Sequence, residues 1–276
     1  MTGGLPAACA ALLGANELAM PWLLPYRACG SSVARHVAAG MPVAQALNLA
    51  LQARPIPMPG ECALRFVAQH DMPQGEAYEA FIARTACVPT RDNAHDLFNG
   101  LVWLRFAPLK RQLNALQARQ IALAGITSTR GPVRDALTLF DENAALLHAP
   151  GVLVDALRRR DWQALFVAQR GAWPRARLTL FGHALIEKLL QPRKAITAHV
   201  WLLPQDLMLS PWVPGAEPLD LPDPAWFAHN PQLALPVLGV PGWWSANEDP
   251  RFYLDDSVFR PALPRRASPH GTRSLA

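Results

Sequence analysis

The sequence predicts a mainly helical α+β domain with a small sheet and a proline-rich, extended C-terminal arm. Apolar residues recur at helical spacing over most of the chain before residue 200, which is typical of amphipathic helices. Only a few short segments, such as 177–181, carry the pattern of a strand. The 27 prolines keep helices short, because proline ends helices and does not fit central strands.

The chain has 276 residues, of which 51% are hydrophobic and 17% charged, so it can bury a sizeable core. We expect residues 1–60 to form a helical segment packed on that core and residues 61–260 to form the main globular domain. Within this domain, the prolines and scattered tryptophans of residues 203–260 predict an extended arm that wraps the surface. Residues 261–276 are expected to be a disordered tail.

Charge and cysteine content narrow the class of protein. The net charge of +5 permits contact with a small anionic molecule. Single-strand nucleic-acid binders carry stripes of alternating aromatic and basic residues, and this sequence lacks them, so nucleic acid is not an expected partner. The four cysteines form no CxxC pair, which favours reduced thiols over a cysteine zinc site. No basic signal-peptide region and no apolar run near the roughly 20 residues of a membrane span are present. We expect a cytoplasmic protein without a membrane span, and the sequence leaves its oligomeric state open.

Before residue 130, helical spacing and turn residues predict a series of short helices and one strand. The predicted helices are 31–39, 42–53, 75–85, a helix capped by Asn93 and ended by Pro108, and 110–123. Residues 62–68 predict a short strand or an extended lead-in to the segment that follows, and Val88-Pro89-Thr90 predicts a turn.

After residue 130, Pro132 suits the first turn of a helix that the apolar spacing extends to Leu147. A strand over residues 136–140 is the alternative interpretation. One or two helices over 152–172, a strand over 177–181 and a helix over 183–190 follow.

Candidate site residues concentrate between Arg91 and His199. His95 and Asn99 lie one turn apart on a predicted helix, and Asp96 lies in its first turn, where the helix dipole favours a carboxylate. A packed histidine and a carboxylate supporting the helix start are the structural alternative.

Arginines and carboxylates surround the next predicted helix. Arg130 stands just before its N-terminus, where free N–H groups and a guanidinium can hold an anion, and Arg134 follows in the first turn. Asp141 and Glu142 are adjacent carboxylates that could ligate a divalent cation or act as a general base. Capping and surface pairing are the structural alternative for both groups.

His183 and Glu187 are four residues apart, which places imidazole and carboxylate on one helical face. That spacing suits two ligands of one metal, or a base oriented by its acid. Lys194 and His199 could add a cation and a further histidine, although a loop is an equally good interpretation of their segment.

These groups together favour a metal-assisted, hydrolase-like enzyme that acts on a small anionic substrate. The catalytic candidates are His95, Asp96, His183 and Glu187; the ligand-binding candidates are Asn99, Arg130, Arg134, Lys194 and His199; the metal candidates are His95, Asp141, Glu142 and His183. A divalent metal is the only cofactor the residues suggest. A non-catalytic module that binds a small ligand or a partner protein, and a purely structural polar network, are the alternatives. Nucleotide loops and the serine elbow have no support in the sequence, because GxGxxG, GxxxxGK[ST] and GxSxG do not occur.

Five strings carry a resemblance to a known family: VPTRDNAHDLFNGLVWLRF, RGPVRDALTLFDEN, RDWQALFVAQRGAW, FGHALIEKLLQPRKAITAH and LPVLGVPGWW. They resemble a proteobacterial family catalogued as domain of unknown function 3025, over roughly Arg65 to Pro261. In that family an alanine is usual where Gly100 stands and a glycine where Ala144 stands. The resemblance implies no reaction, but it implies that the polar groups belong to one folded unit.

Overall fold

The computed structural model describes residues 4–14, 20–59, 62–124, 131–203 and 232–262. These ranges form a mainly helical α+β structure with small sheets, which confirms the predicted fold class. No helix in these ranges combines the length and the apolar character that crossing a membrane requires.

The described part of the chain contains nine α-helices and six strands. The helices are α1 (Leu5–Leu13), α2 (Arg27–Ala38), α3 (Val43–Ala53), α4 (Tyr78–Thr85), α5 (Ala94–Arg105), α6 (Ala107–Ala124), α7 (Pro132–Asn143), α8 (Gly151–Arg159) and α9 (His183–Lys188). The strands are β1 (Arg65–Ala68), β2 (Cys87–Thr90), β3 (Ala144–His148), β4 (Arg177–Leu180), β5 (Thr197–Leu202) and β6 (Leu233–Pro236).

The N-terminal helices share the apolar core of the rest of the chain. Helix α2 packs between α1 and α3, and all three contact α5. Gly30 on α2 lies against Leu12 of α1 and Leu101 of α5, where a larger residue would overlap both side chains. The buried hydroxyl of Tyr26 donates to the Leu180 carbonyl, which ties this part of the chain to the sheet.

A four-stranded sheet in the order β4-β3-β5-β6 lies behind the site. Its inner strands β3 and β5 run parallel, and each outer strand pairs antiparallel with its neighbour. The prediction that helix continues to Leu147 is wrong, because α7 ends at Asn143 and β3 follows at once. All five β3 residues are buried, and an apolar run buried on both faces has no periodicity that separates helix from strand. The alternative strand over 136–140 is also wrong, since those residues lie within α7.

A second, two-stranded sheet pairs β1 and β2 in parallel. The predicted turn at Val88-Pro89-Thr90 is therefore wrong: these residues form β2, with Pro89 opposite Val67. Since β2 is an edge strand, a proline without an N–H group is tolerated there.

The chain after β3 is less regular than predicted. Helix α8 ends at Arg159, and the next residue, Arg160, has a left-handed φ of 50°. A π-helical turn at Ala164–Ala168 and a 3-10 turn at Arg170–Arg175 follow. Of the predicted arm, residues 204–231 lie outside the described residues. Its described part forms β6 and three short 3-10 turns packed on the core.

Helices α5, α6, α7 and α9 meet beside the sheet and position the candidate site. Gly182, between β4 and α9, lies so close to the backbone of Glu142 and Asn143 that a Cβ atom there would overlap it. This close approach places the first residue of α9, His183, against the C-terminal end of α7.

Candidate functional site

Two histidines from helices α5 and α9 contact each other through their Nε2 atoms. His95 is the second residue of α5 and His183 the first residue of α9, and their Nε2 atoms lie 3.1 Å apart. The ring centroids are 4.5 Å apart and the planes are inclined by 73°. Residues 88 positions apart in the sequence are thus brought into direct contact.

Each imidazole is held by a separate acceptor at its Nδ1 atom. Nδ1 of His95 lies 2.9 Å from Oε2 of Glu187, and Nδ1 of His183 lies 2.9 Å from the main-chain oxygen of Asp141. A carbonyl oxygen only accepts hydrogen bonds, so Nδ1 of His183 carries a proton and donates it. When the ring is neutral, Nε2 of His183 therefore carries no proton, and its lone pair faces His95.

The contact between the two Nε2 atoms needs a positive centre. If the carboxylate of Glu187 accepts a hydrogen bond from His95, a neutral His95 also presents an Nε2 lone pair to His183. Two lone pairs at 3.1 Å repel each other unless a proton or a metal cation lies between them. The cluster is therefore complete when it holds one additional proton or one cation.

The electrostatic environment keeps His183 uncharged at neutral pH. Burial lowers the pKa of His183 to about 4, against the opposing effect of Asp141, and the charges of Lys110 and His95 lower it further. Burial alone would raise the pKa of Asp141, but Lys110 and the two histidines outweigh it, so that pKa is lowered. Asp141 remains an anion and His183 a neutral base or ligand.

A buried lysine, Lys110, stabilises the position of Asp141 by hydrogen bonds. Nζ of Lys110, a residue only 4% exposed, donates to Oδ1 of Asp141 at 2.6 Å and to Oδ1 of Asn99 at 3.0 Å. The amide of Asn99 in turn donates to the hydroxyl of Tyr78 at 2.9 Å. Asn99, which was predicted to bind ligand, is thus hydrogen-bonded through both the oxygen and the nitrogen of its side chain. The network to which it belongs holds Asp141, whose carbonyl orients His183.

Sequence reasoning missed Lys110 and Tyr78. The predicted helix began at Lys110, whereas α6 begins at Ala107, so that Lys110 is its fourth residue. A signal was present, because Lys110, Leu113, Asn114 and Gln117 follow the spacing of one helical face, and all four are buried.

The structure gives Glu187 a different partner from the one its spacing suggests. The sequence pairs it with His183, one turn earlier on the same helix, but Glu187 contacts His95 on α5. Nδ1 of His183 already donates to the main-chain oxygen of Asp141, and the carboxylate of Glu187 instead links α9 to α5.

Asp96 is engaged in supporting the local backbone. Its carboxylate accepts two hydrogen bonds from the guanidinium of Arg91, at 2.9 and 3.0 Å, and one from the Arg91 N–H. Its own N–H donates to the side chain of Asn93, which confirms Asn93 as the N-cap of α5. These contacts correspond to the structural alternative for Asp96.

The predicted four-residue metal set is not assembled by the described side chains. The carboxylate of Asp141 is bound to Lys110, and this residue reaches His183 only through its main chain. Glu142 is half-buried at the end of α7, beside Gly182. Within the part of the chain that the structure describes, no group of three or more His, Cys, Asp or Glu residues is arranged to hold a metal ion.

The contacts of the described residues do not bring the predicted anion-binding residues to His95 and His183. Arg130 lies outside the described residues, and Arg134 is half-buried on α7. The ammonium of Lys194 binds Asp255 at 2.9 Å, and His199 lies on β5, where burial and then Lys188 lower its pKa.

Solvent reaches the cluster at His95. The side chain of His95 is 35% exposed, whereas that of Glu187 is 7% exposed. Arg91, whose side chain is 57% exposed, lies four residues before His95, and the hydrogen bond from its guanidinium to Asp96 is the main cause of its raised pKa. This exposed guanidinium precedes the start of α5, the helix that carries His95.

Comparison with known proteins identifies one family. The family described as "Protein of unknown function (DUF3025)" matches residues 64–263, which is more than half of the chain. No curated protein and no solved structure matches the chain. The match contains every residue of the histidine cluster and of its Lys110 network. The chain therefore belongs to the family of proteins of unknown function DUF3025.

Proposed function

We propose that the protein is a hydrolase-like enzyme that acts on a small anionic substrate, with the His95–His183 pair as its reaction centre. One observation carries the proposal: two imidazoles meet through Nε2 while each Nδ1 is fixed by its own acceptor. Fixed tautomers and a shared, partly exposed position are what acid–base or metal-assisted activation of water requires.

A purely structural role accounts less well for His95. Its side chain is 35% exposed, so water could satisfy Nε2 at no cost if packing alone mattered. Instead, Nε2 faces the nitrogen of a second, buried imidazole, an arrangement that is favourable only with an added positive centre. Costly polar arrangements of this kind concentrate at functional sites.

The surrounding side chains suit distinct roles. Glu187 orients His95 and balances a positive charge on the pair, and the Asp141 carbonyl orients His183. Arg91 presents an exposed guanidinium that can hold an anionic group of the substrate while its contact with Asp96 keeps it in place. This combination supports a small anionic substrate over a neutral one.

Turnover of simple chromogenic esters tests the proposal. Purified protein is assayed with the p-nitrophenyl esters of acetate, phosphate and sulfate and with bis-p-nitrophenyl phosphate. We expect turnover of at least one anionic ester and a loss of about 100-fold or more in His95→Gln, because general acid–base or metal activation contributes on that scale. His70→Gln is the matched control, since the side chain of His70 is 86% exposed and contacts the carboxylate of Asp71.

The proposal fails if none of the phosphate and sulfate esters is turned over, or if His95→Gln retains the wild-type rate. Thermal melting of each variant establishes that the folded protein is compared. An inactive protein in which His95→Gln lowers the melting temperature markedly would instead favour the structural alternative.

A second candidate function, binding of a small ligand without catalysis, is favoured by a cleft elsewhere on the molecule. The cleft has a volume of about 390 Å³, within the usual range for ligand pockets. Aromatic and proline side chains line it beside an ion pair: Trp173, Pro174, Pro241, Trp243, Arg170 and Glu248. A thermal-shift screen with aromatic carboxylates and sugar phosphates, repeated on Trp243→Ala, tests this function separately.

A further inference from the structure

We propose that the Nε2 atoms of His95 and His183 together bind one divalent transition-metal ion of the zinc class. This inference rests on the proposed function, which it deepens by naming the positive centre between the two rings. The ion would take the place of the proton that otherwise completes the cluster.

The distance between the nitrogens fits a shared metal. Zinc–nitrogen bonds to histidine are about 2.0–2.1 Å long, so an ion bonded to both atoms of a pair 3.1 Å apart has an N–metal–N angle of about 100°. That angle is close to the tetrahedral arrangement that zinc adopts in proteins.

The relative orientation of the rings also favours a common third atom. The centroids are 4.5 Å apart and the nitrogens 3.1 Å apart, a difference of 1.4 Å. Two rings that approached end-on along a straight N–H···N line would add two full ring radii, which is more than this difference. The imidazoles of His95 and His183 are therefore inclined to each other and not end-on, a geometry compatible with two ligands of one ion.

The groups behind the histidines are those that orient metal ligands. A metal-bound histidine almost always donates its second N–H to a carboxylate, a backbone carbonyl or water. Here Nδ1 of His95 faces the carboxylate of Glu187, and Nδ1 of His183 faces the carbonyl of Asp141. Both Nε2 atoms are thereby left as lone pairs, which is the form that binds metal.

The nature and number of the ligands predict which ions bind and what the site can do. Two imidazole nitrogens suit Zn²⁺, Co²⁺, Ni²⁺ and Cu²⁺, whereas Mg²⁺ and Ca²⁺ prefer oxygen ligands. Since the described residues supply two ligands and zinc is four-coordinate, the other positions are open to water and substrate. An open site on the exposed side of His95 is where a metal would activate water.

Titration with Co²⁺ tests the inference, because the d–d absorption of cobalt reports ligand type and geometry. The affinity tag is removed, and the Cys62→Ser background is used because the exposed thiol of Cys62 would itself bind metal. We expect one equivalent to bind with the spectrum of a nitrogen-ligated, tetrahedral or five-coordinate ion, and Zn²⁺ to displace it. Mg²⁺ in excess should leave the spectrum unchanged.

Variants locate the ion. His95→Gln should abolish the cobalt signal, and Glu187→Gln should weaken affinity roughly 10–100-fold because it removes an orienting contact. His70→Gln should bind as the wild type does. Circular dichroism melting without metal establishes that Glu187→Gln, whose site is buried, is folded.

The inference is overturned if no single saturable equivalent binds, or if His95→Gln binds cobalt unchanged. Its failure is distinguishable from failure of the proposed function. If no cobalt binds but the protein hydrolyses esters, the metal inference is wrong and the acid–base enzyme stands. If the protein binds cobalt at His95 but turns over none of the esters, the metal site is supported and the proposed hydrolase is contradicted.

Discussion

Nδ1 of His95 lies 2.9 Å from Oε2 of Glu187, across the interface between α5 and α9. This contact, together with the Asp141 carbonyl at His183, gives each imidazole one defined orientation. These orientations depend on two further residues: Lys110 holds the carboxylate of Asp141, and Gly182 allows α9 to start close to the end of α7. The chemistry of the site can therefore be tested through residues that do not touch the histidines.

Gly182→Ala should destabilise the protein by about 1–3 kcal/mol or more, because its Cβ would overlap backbone atoms of Glu142 and Asn143 that cannot rotate away. Urea denaturation at neutral pH measures the free energy of unfolding. Gly151→Ala is the control: it is also next to a helix start, nothing lies within 4 Å of its Cβ, and it should be neutral or slightly stabilising. Equal stability of the two variants would contradict the close approach at Gly182.

Lys110→Met should cost roughly 3–5 kcal/mol of unfolding free energy, because it leaves the carboxylate of Asp141 buried without its partner. The double variant Lys110→Met/Asp141→Leu should recover part of that loss, since it removes the orphaned charge and retains the main-chain carbonyl that holds His183. Urea denaturation of both variants gives the coupling free energy. A double variant that is as unstable as the sum of the single ones would show that Lys110 and Asp141 act independently.

Local signals in the sequence predict much of this fold. Asn93 as a helix cap and Pro132 in a first turn need only neighbouring residues, and both predictions are confirmed. Predictions failed where burial by distant elements decides the conformation. Strand β3 is an apolar run between two other strands, and β2 is a strand only because β1 pairs with it.

The candidate site shows the same limit. His95, His183 and Glu187 could be singled out from residue type and spacing, but their pairing could not, because the partners are 88 to 92 positions apart. The two hydrogen bonds of Lys110 likewise depend on how α6 rotates against α5 and α7. Helix spacing limits which residues share a face, and tertiary packing decides which faces meet.

Gly100→Ala tests the close approach of α5 to α3 at a glycine within a helix. A Cβ at Gly100 would overlap the side chain of Leu47 on α3, so we expect a loss of about 1–3 kcal/mol. Because Leu47 presents a flexible side chain and not backbone, the combination with Leu47→Ala should cost clearly less than the sum of the two single variants. Strict additivity in a double-mutant cycle, measured by urea denaturation, would rule out a contact between these two positions.

Asp255 should give the stability of the C-terminal segment a defined pH dependence. Hydrogen bonds from Ser257 and then from Lys194 lower the pKa of Asp255 to about 2. A carboxyl group whose folded pKa lies below its unfolded value of 3.8 stabilises the fold above about pH 4, and this contribution is lost as the pH falls toward 2. Asp255→Asn should therefore lower the melting temperature at pH 6, and its difference from the wild type should shrink between about pH 4 and pH 2. Asp256→Asn, at the exposed neighbouring position, is the control. A difference that stays constant over this pH range would show that the Asp255 carboxylate contributes no charge-dependent stability.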